Sequence, residues 1–251
     1  MKLRVEADRD AVAARVADQV FRYWLGPLRD QPGSARPLGL ATGRTMEPIY
    51  LALVQRWKAL PPELQEPMQN CWRSFNLDEY VGLPARDSRS FRAFMDRHLR
   101  EPLGLDPACM QLPEGGVLHP AHEASRYAAA LAAAGGVGLQ LLGLGLNGHV
   151  GFNEPPCTPD SRCRCLQLSE STRRQNAEGF GGDPQAVPAR AITLGLAEIL
   201  QSREILLVVT GRAKAEVLRR LLEEPVSAEL PASWLRGHPS FTVLADREAV
   251  S

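Results

Sequence analysis

An apolar run that breaks on a glycine and gives way to a helical period recurs along this 251-residue chain. "RPLGLATG" meets "MEPIYLALVQRWKAL", and "REILLVVTG" meets "RAKAEVLRRLLEE". "EASRYAAALAAAGG" reads as a helix ended by glycine, followed by the strand "VGLQLLGLG". Val12, Val16, Val20 and Trp24 recur at helical spacing and place an amphipathic helix over residues 8–25. Phe91, Phe94, Met95 and Leu99 share one helical face, with Ser88 or Ser90 as the cap. "ARAITLGLAEILQS" and "SFTVLADREA" supply later elements, the second a closing strand. Such alternation predicts an α/β fold, a mostly parallel sheet with helices on both faces. No repeat or linker divides the chain, so residues 1–251 read as a single domain.

In an open sheet of this kind ligands bind where the carboxyl ends of strands give way to loops. Four strand ends carry unusual chemistry: "ATGRT", "NLDEY", "LNGHVGFNEP" and "TGRAK". One composite pocket is expected from them. The third, with the "LGLG" before it, spells G-x-G-x-x-G through Gly143, Gly145 and Gly148, the fingerprint of a dinucleotide loop. That fingerprint needs a helix opening at the third glycine to receive pyrophosphate. Here Pro155, Pro156 and Pro159 follow within a few residues. Proline inside a helix costs about 3 kcal/mol, so the dinucleotide reading fails.

What remains is a glycine-rich loop holding Asn147, His149 and Glu154. A carboxylate five residues from an imidazole on a turning chain can fix its tautomer and raise its basicity. The spacing H-x4-E is not the helical zinc pattern, so metal hydrolysis is not indicated. Asp78 and Glu79 stand together at what reads as a strand end running into a polar loop. Either they belong to a solvated loop with one acid capping a helix, or one of them faces the pocket as a general base. Thr42, Gly43, Arg44 and Thr45 form a glycine turn ahead of a helix, which suits a phosphate. The turn lacks the G-K-[ST] ending of a nucleotide loop, so a phosphorylated small molecule fits better. Lysine occurs only at Lys2, Lys58 and Lys214 among 29 basic residues. Lys214, on the first turn after a second such glycine, therefore points to phosphate as well.

Bulk properties exclude other classes. The 29 basic and 29 acidic side chains cancel, leaving no net field for nucleic acid or an anionic membrane. The most apolar run, Tyr127 to Leu146, carries Gln140 and is broken at Gly135 and Gly136, so it is not a membrane span. "MKLRVEADRDAVAARVADQV" has no uninterrupted apolar core and is not a signal peptide. The five cysteines, an odd number, suggest reduced thiols in a cytoplasm. Cys157, Cys163 and Cys165 lie near His149 but match no common zinc spacing.

"LATGRT", "SFNLDEYVGLP", "LGLGLNGHVGFNEP", "SRCRCLQLSESTRRQN" and "VTGRAKAEV" together resemble the glucosamine-6-phosphate deaminases, in order and in spacing. The likeness runs from about residue 35 to the C-terminus. The related 6-phosphogluconolactonases share a glycine-histidine segment but lack the acid pair and the "FNEP" ending. The resemblance implies a Rossmann-like fold and a cofactor-free reaction. In it a hexosamine 6-phosphate is opened, isomerised from aldose to ketose and deaminated to fructose 6-phosphate. It further implies that Asp78 moves a proton between C2 and C1. His149 would assist ring opening, with Glu154 orienting it. Asn147 stands where many members have aspartate, which would shift the holding of the histidine onto Glu154. Thr42, Gly43 and Lys214 fall on the phosphate site, and Arg173 in the segment bordering it. Arg44 replaces a usually small residue, and Glu178 stands where members often carry an arginine, whose charge Arg44 could supply.

The expected partner is thus a small amino-sugar phosphate, with no nucleic acid, membrane or metal involved, in a monomer or homo-oligomer. Three rivals stay open. The tail from Val226 also looks like that of galactosamine-6-phosphate deaminases. A lactonase acting on a phosphorylated sugar acid would use the same sheet. A sugar-phosphate sensor would use the same pocket, although the segment before the first glycine turn holds only one helix.

Overall fold

The computed structural model describes residues 1–30 and 36–251. The strands are β1 (Lys2–Glu6), β2 (Leu38–Leu40), β3 (Ser74–Asn76), β4 (Asp78–Tyr80) and β5 (Met110–Gln111). They continue with β6 (Leu139–Gly143), β7 (Arg164–Gln167), β8 (Arg190–Thr193), β9 (Glu204–Val209) and β10 (Phe241–Asp246). The helices are α1 (Arg9–Asp30), α2 (Glu47–Lys58), α3 (Pro62–Cys71), α4 (Phe91–Met95) and α5 (Glu101–Leu103). A π-helical stretch, Asp96–Arg100, joins the last two. Further on come α6 (Pro120–Ala133), α7 (Glu170–Asn176), α8 (Leu196–Leu200) and α9 (Ala215–Glu223).

Seven strands form one sheet in the order β1-β10-β9-β6-β2-β3-β5, and every pairing in it is parallel. This is the α/β sheet that the alternating pattern predicts. Its central strands are mostly apolar, as strands covered on both faces must be, with Gln140 of β6 buried among them. Leu206, Leu207, Val243 and Leu244 have no exposed surface. From β2 the chain moves outward to β3 and β5, then returns on the other side of β2 with β6 and β9. A topological switch therefore lies between β2 and β6, where such sheets bind ligands.

The sequence pattern predicts that "WRSFNLDEYVGLP" runs from a strand into a loop. The structure differs, because a second, antiparallel sheet of order β4-β8-β7 takes over at once. Leu77 is the joint: its N–H donates to Leu40 O on the large sheet, and its carbonyl accepts from Leu194 N beyond β8. β1 also escaped the sequence reading. Its five residues pair in parallel register with β10 at the sheet edge, and most of their surface stays in water.

Candidate active site

Because the large sheet is parallel, β9, β6, β2 and β3 end on one side and send their loops to one place. The result is a cleft of about 670 Å³. It is lined by Thr42, Gly43, Arg44 and Thr45 after β2, Asp78 after β3, His149 after β6 and Lys214 after β9. The four strand-end motifs thus converge as expected. Among the described residues no group of three histidine, cysteine, aspartate or glutamate side chains could hold a metal ion.

Asp78 and Glu79 divide by strand geometry. Successive side chains on a strand point to opposite faces, and Asp78 and Tyr80 line the cleft while Glu79 does not. The Glu79 carboxylate turns the other way and accepts the backbone N–H groups of Tyr80, Phe91 and Arg92 at 2.8–2.9 Å, capping α4. Ser90 supplies the second cap, accepting from Ala93 N at 3.0 Å. Asp78 is 5% exposed, and no hydrogen bond from the described residues reaches its carboxylate. Burial, reinforced by the charge of Glu79, raises its pKa from 3.8 to about 8. An acid that holds its proton near neutrality while facing a cleft is suited to proton transfer.

The glycines around the histidine have structural reasons that differ from those of a dinucleotide loop. A Cβ on Gly145 would lie 2.3 Å from the His149 ring, so only glycine lets the imidazole lie there. Gly148 turns the chain at φ +84°, a conformation that L side chains rarely adopt. Asn147 Oδ1 then lies 2.6 Å from His149 Nδ1 and also accepts the backbone N–H of His149 at 3.3 Å. Since that backbone contact identifies the amide oxygen, Nδ1 must be the protonated nitrogen and Nε2 the free one. Loss of water around the half-buried ring pulls its pKa down to about 4, against the opposing charge of Glu154. The imidazole is neutral at physiological pH.

Glu154 does not hold His149, contrary to the sequence reading. Its carboxylate accepts Ser169 N at 2.9 Å and both the Ser169 and Thr172 hydroxyls. It thereby fastens the start of α7, and it acts on the imidazole only through its field. Asn147 holds the ring instead, because it lies two residues away on the same turn. Asn153, which the sequence reading passed over, is fully buried. Its amide donates to Val150 O and Leu194 O and accepts from Arg164, pinning the loop to the second sheet.

Arg173 also stands apart from the cleft. Its guanidinium is committed to the Val187 and Gln185 carbonyls at 3.2 and 3.0 Å. The wall it was expected to form is made by residues just beyond it, Gln175, Asn176 and Glu178 to Phe180. Thr42 to Thr45 form a tight turn closed by Met46 N to Gly43 O at 2.8 Å, and no side chain caps α2 behind it. Lys214 faces the same space, its pKa lowered by burial and then by the positive charge of Arg44. A turn, two cations and an uncapped helix start make this end of the cleft suited to an anion.

A family described as glucosamine-6-phosphate isomerases/6-phosphogluconolactonase matches residues 7–243. A glucosamine-6-phosphate deaminase of Rhodopirellula baltica is 41% identical over 251 residues, covering all of this chain and 95% of that protein. One of Streptomyces avermitilis is 44% identical over 214 residues, covering 85% of this chain and 80% of that one. A solved monomeric glucosamine-6-phosphate deaminase superposes with a TM-score of 0.87 at 34% identity, over 99% of this chain and 98% of that one. A 6-phosphogluconolactonase of Thermotoga maritima reaches 0.74 at 18% identity, over 98% of this chain and 99% of that one, and shares the fold.

Proposed function

Since the chain belongs to the family of glucosamine-6-phosphate isomerases and 6-phosphogluconolactonases, we propose that it converts glucosamine 6-phosphate to fructose 6-phosphate and ammonia. The observation that carries this reading is one cleft holding a buried, high-pKa carboxyl and a neutral imidazole beside a cationic glycine turn. Moving a proton between adjacent carbons needs a single base that reaches both, and opening the ring needs a second group at the ring oxygen. His149, with Nε2 free, takes the proton from the C1 hydroxyl as the ring opens and returns it at the ring oxygen. Asp78 removes the C2 proton and delivers it to C1 while one ammonium proton passes to the C1 oxygen, leaving a C2 iminium that water hydrolyses to ketone and ammonia. The substrate arrives with an ammonium group, and a cation beside Asp78 favours its ionised form. The phosphate, on Thr42 to Thr45 with Arg44 and Lys214, anchors the sugar far from the reacting carbons and so orients it.

Five free thiols suit a reducing cytoplasm, and among the described residues no helix is long and apolar enough to cross a membrane. The decisive assay is ammonia release from purified protein across a panel of hexosamine 6-phosphates. Glucosamine 6-phosphate should be turned over. Turnover of galactosamine 6-phosphate alone, or hydrolysis of 6-phosphogluconolactone without ammonia from any hexosamine, would overturn the proposal.

A further inference from the structure

On that reading the phosphate lies against the turn after β2, yet the guanidinium of that turn already has a partner. Arg44 Nη1 lies 2.5 Å from Glu178 Oε2, although the two side chains are 72% and 73% exposed. Both line the cleft. Glu178 belongs to the 3-10 turn Ala177–Phe180 that follows α7, on the opposite wall. Among the described residues this pair is the one hydrogen bond or ion pair joining that wall to the turn. The turn itself is held from behind, where Arg9 donates to the Arg44 carbonyl at 2.5 Å. The backbone of Arg44 is thus tied down, and its charged end is spent on a carboxylate that belongs to the protein.

We propose that Glu178 is an internal competitor for the substrate's phosphate, occupying the Arg44 guanidinium until the phosphate displaces it. Carboxylate and phosphate offer the same acceptor geometry to a guanidinium, so one can take the other's place. The exchange favours phosphate because a dianion meets Arg44 and Lys214 together, while Glu178 engages Arg44 alone. A neutral sugar, or a ligand with a single carboxylate, gains little by displacing it. The pair therefore raises the threshold against ligands without a phosphate and weakens the hold on those that carry one. Glu178 touches no reacting atom and is a specificity-determining residue.

Exposed ion pairs are worth about 0–1 kcal/mol, which converts to at most about a fivefold change in affinity. The test is Glu178→Gln in the full chain, read by the KM for glucosamine 6-phosphate and by the inhibition constant of inorganic phosphate. Both should fall about two- to fivefold. In an Arg44→Gln background the same substitution should bring no gain, since nothing is left to compete for. Glu170→Gln, an exposed acid of α7 paired with Arg174, should leave both constants where they are. Constants that stay or rise in Glu178→Gln would make Glu178 a support for Arg44 and overturn the proposal. An equal gain without Arg44, or an equal gain from Glu170→Gln, would reduce it to general charge repulsion and overturn it too. Failure of the underlying reading looks different: the wild type would release no ammonia and inorganic phosphate would not bind.

Discussion

Replacing Asp78 by asparagine should stabilise the protein above neutral pH while removing its activity. In the fold, burial and the neighbouring Glu79 charge keep the Asp78 proton bound up to about pH 8. In the unfolded chain the same group loses its proton near 3.8. Between those values unfolding releases a proton, so this group's contribution to stability declines as pH rises and is gone above pH 8. Each pH unit costs about 1.4 kcal/mol, so the wild type loses about 4 kcal/mol from this group between pH 5 and pH 8. An amide has no such proton to give up. The advantage of Asp78→Asn over wild type should therefore grow with pH by several kcal/mol, on the order of 10 °C in Tm for a chain of this size. Denaturant unfolding at each pH measures the first quantity, and ammonia release measures the second, where a loss of about 10²–10⁴-fold is expected for a general base. Stability curves that stay parallel from pH 5 to pH 8 would refute the buried protonated carboxyl. Turnover near wild type would remove Asp78 from the mechanism. In the wild type the same group predicts a kcat/KM that rises with pH up to about 8, with the corresponding limb of kcat at lower pH, because the bound ammonium favours the carboxylate.

Three further substitutions examine the rest of the site. Gly145→Ala would force the His149 ring out of its place, given the 2.3 Å approach; about 1–3 kcal/mol of stability and at least tenfold in kcat/KM should be lost, read by thermal melting and ammonia release. Asn147→Asp puts a negative charge on Nδ1–H and should raise the His149 pKa from about 4 by about one unit or more, followed by proton NMR of the ring. Glu79→Gln leaves one oxygen to serve three backbone N–H groups and should cost about 1–3 kcal/mol, seen as a lower denaturant midpoint with faster amide exchange in α4.

The parallel sheet was legible because its inner strands are largely apolar and β2, β6 and β9 run into a glycine, a pattern written in consecutive letters. β1 was not, since an edge strand in water can be as charged as "KLRVE" and still pair with β10. The break between sheets at Leu77 left no composition signal either, and reading "DEY" as loop hid the rule that separates its acids. Once those letters are a strand, alternation alone sends Asp78 to the cleft and Glu79 to α4. Glu154 failed for a different reason. Spacing along a chain measures how far a side chain can reach, and gives no direction; Ser169 and Thr172, distant in sequence, turned out to be the nearer partners. Arg173 failed likewise, being drawn to carbonyls that sequence order does not place beside it.

The two ends of the cleft are held by different kinds of bond, and this matches what the proposed reaction asks of each. Asp78 follows Leu77, whose backbone is bonded to both sheets, and it pairs with Thr193 in the register of β4 and β8. In the proposed reaction Asp78 is the base, and one fixed by main-chain bonds keeps its distance to two adjacent carbons, where proton transfer tolerates little error. His149 is held by a short-range side-chain contact, the Asn147 oxygen two positions away meeting both its ring and its backbone N–H. The anion end is joined across the cleft by the exposed side-chain pair of Arg44 and Glu178. Such a pair exchanges partners at little cost, which is what a site needs when a charged group must enter and then leave.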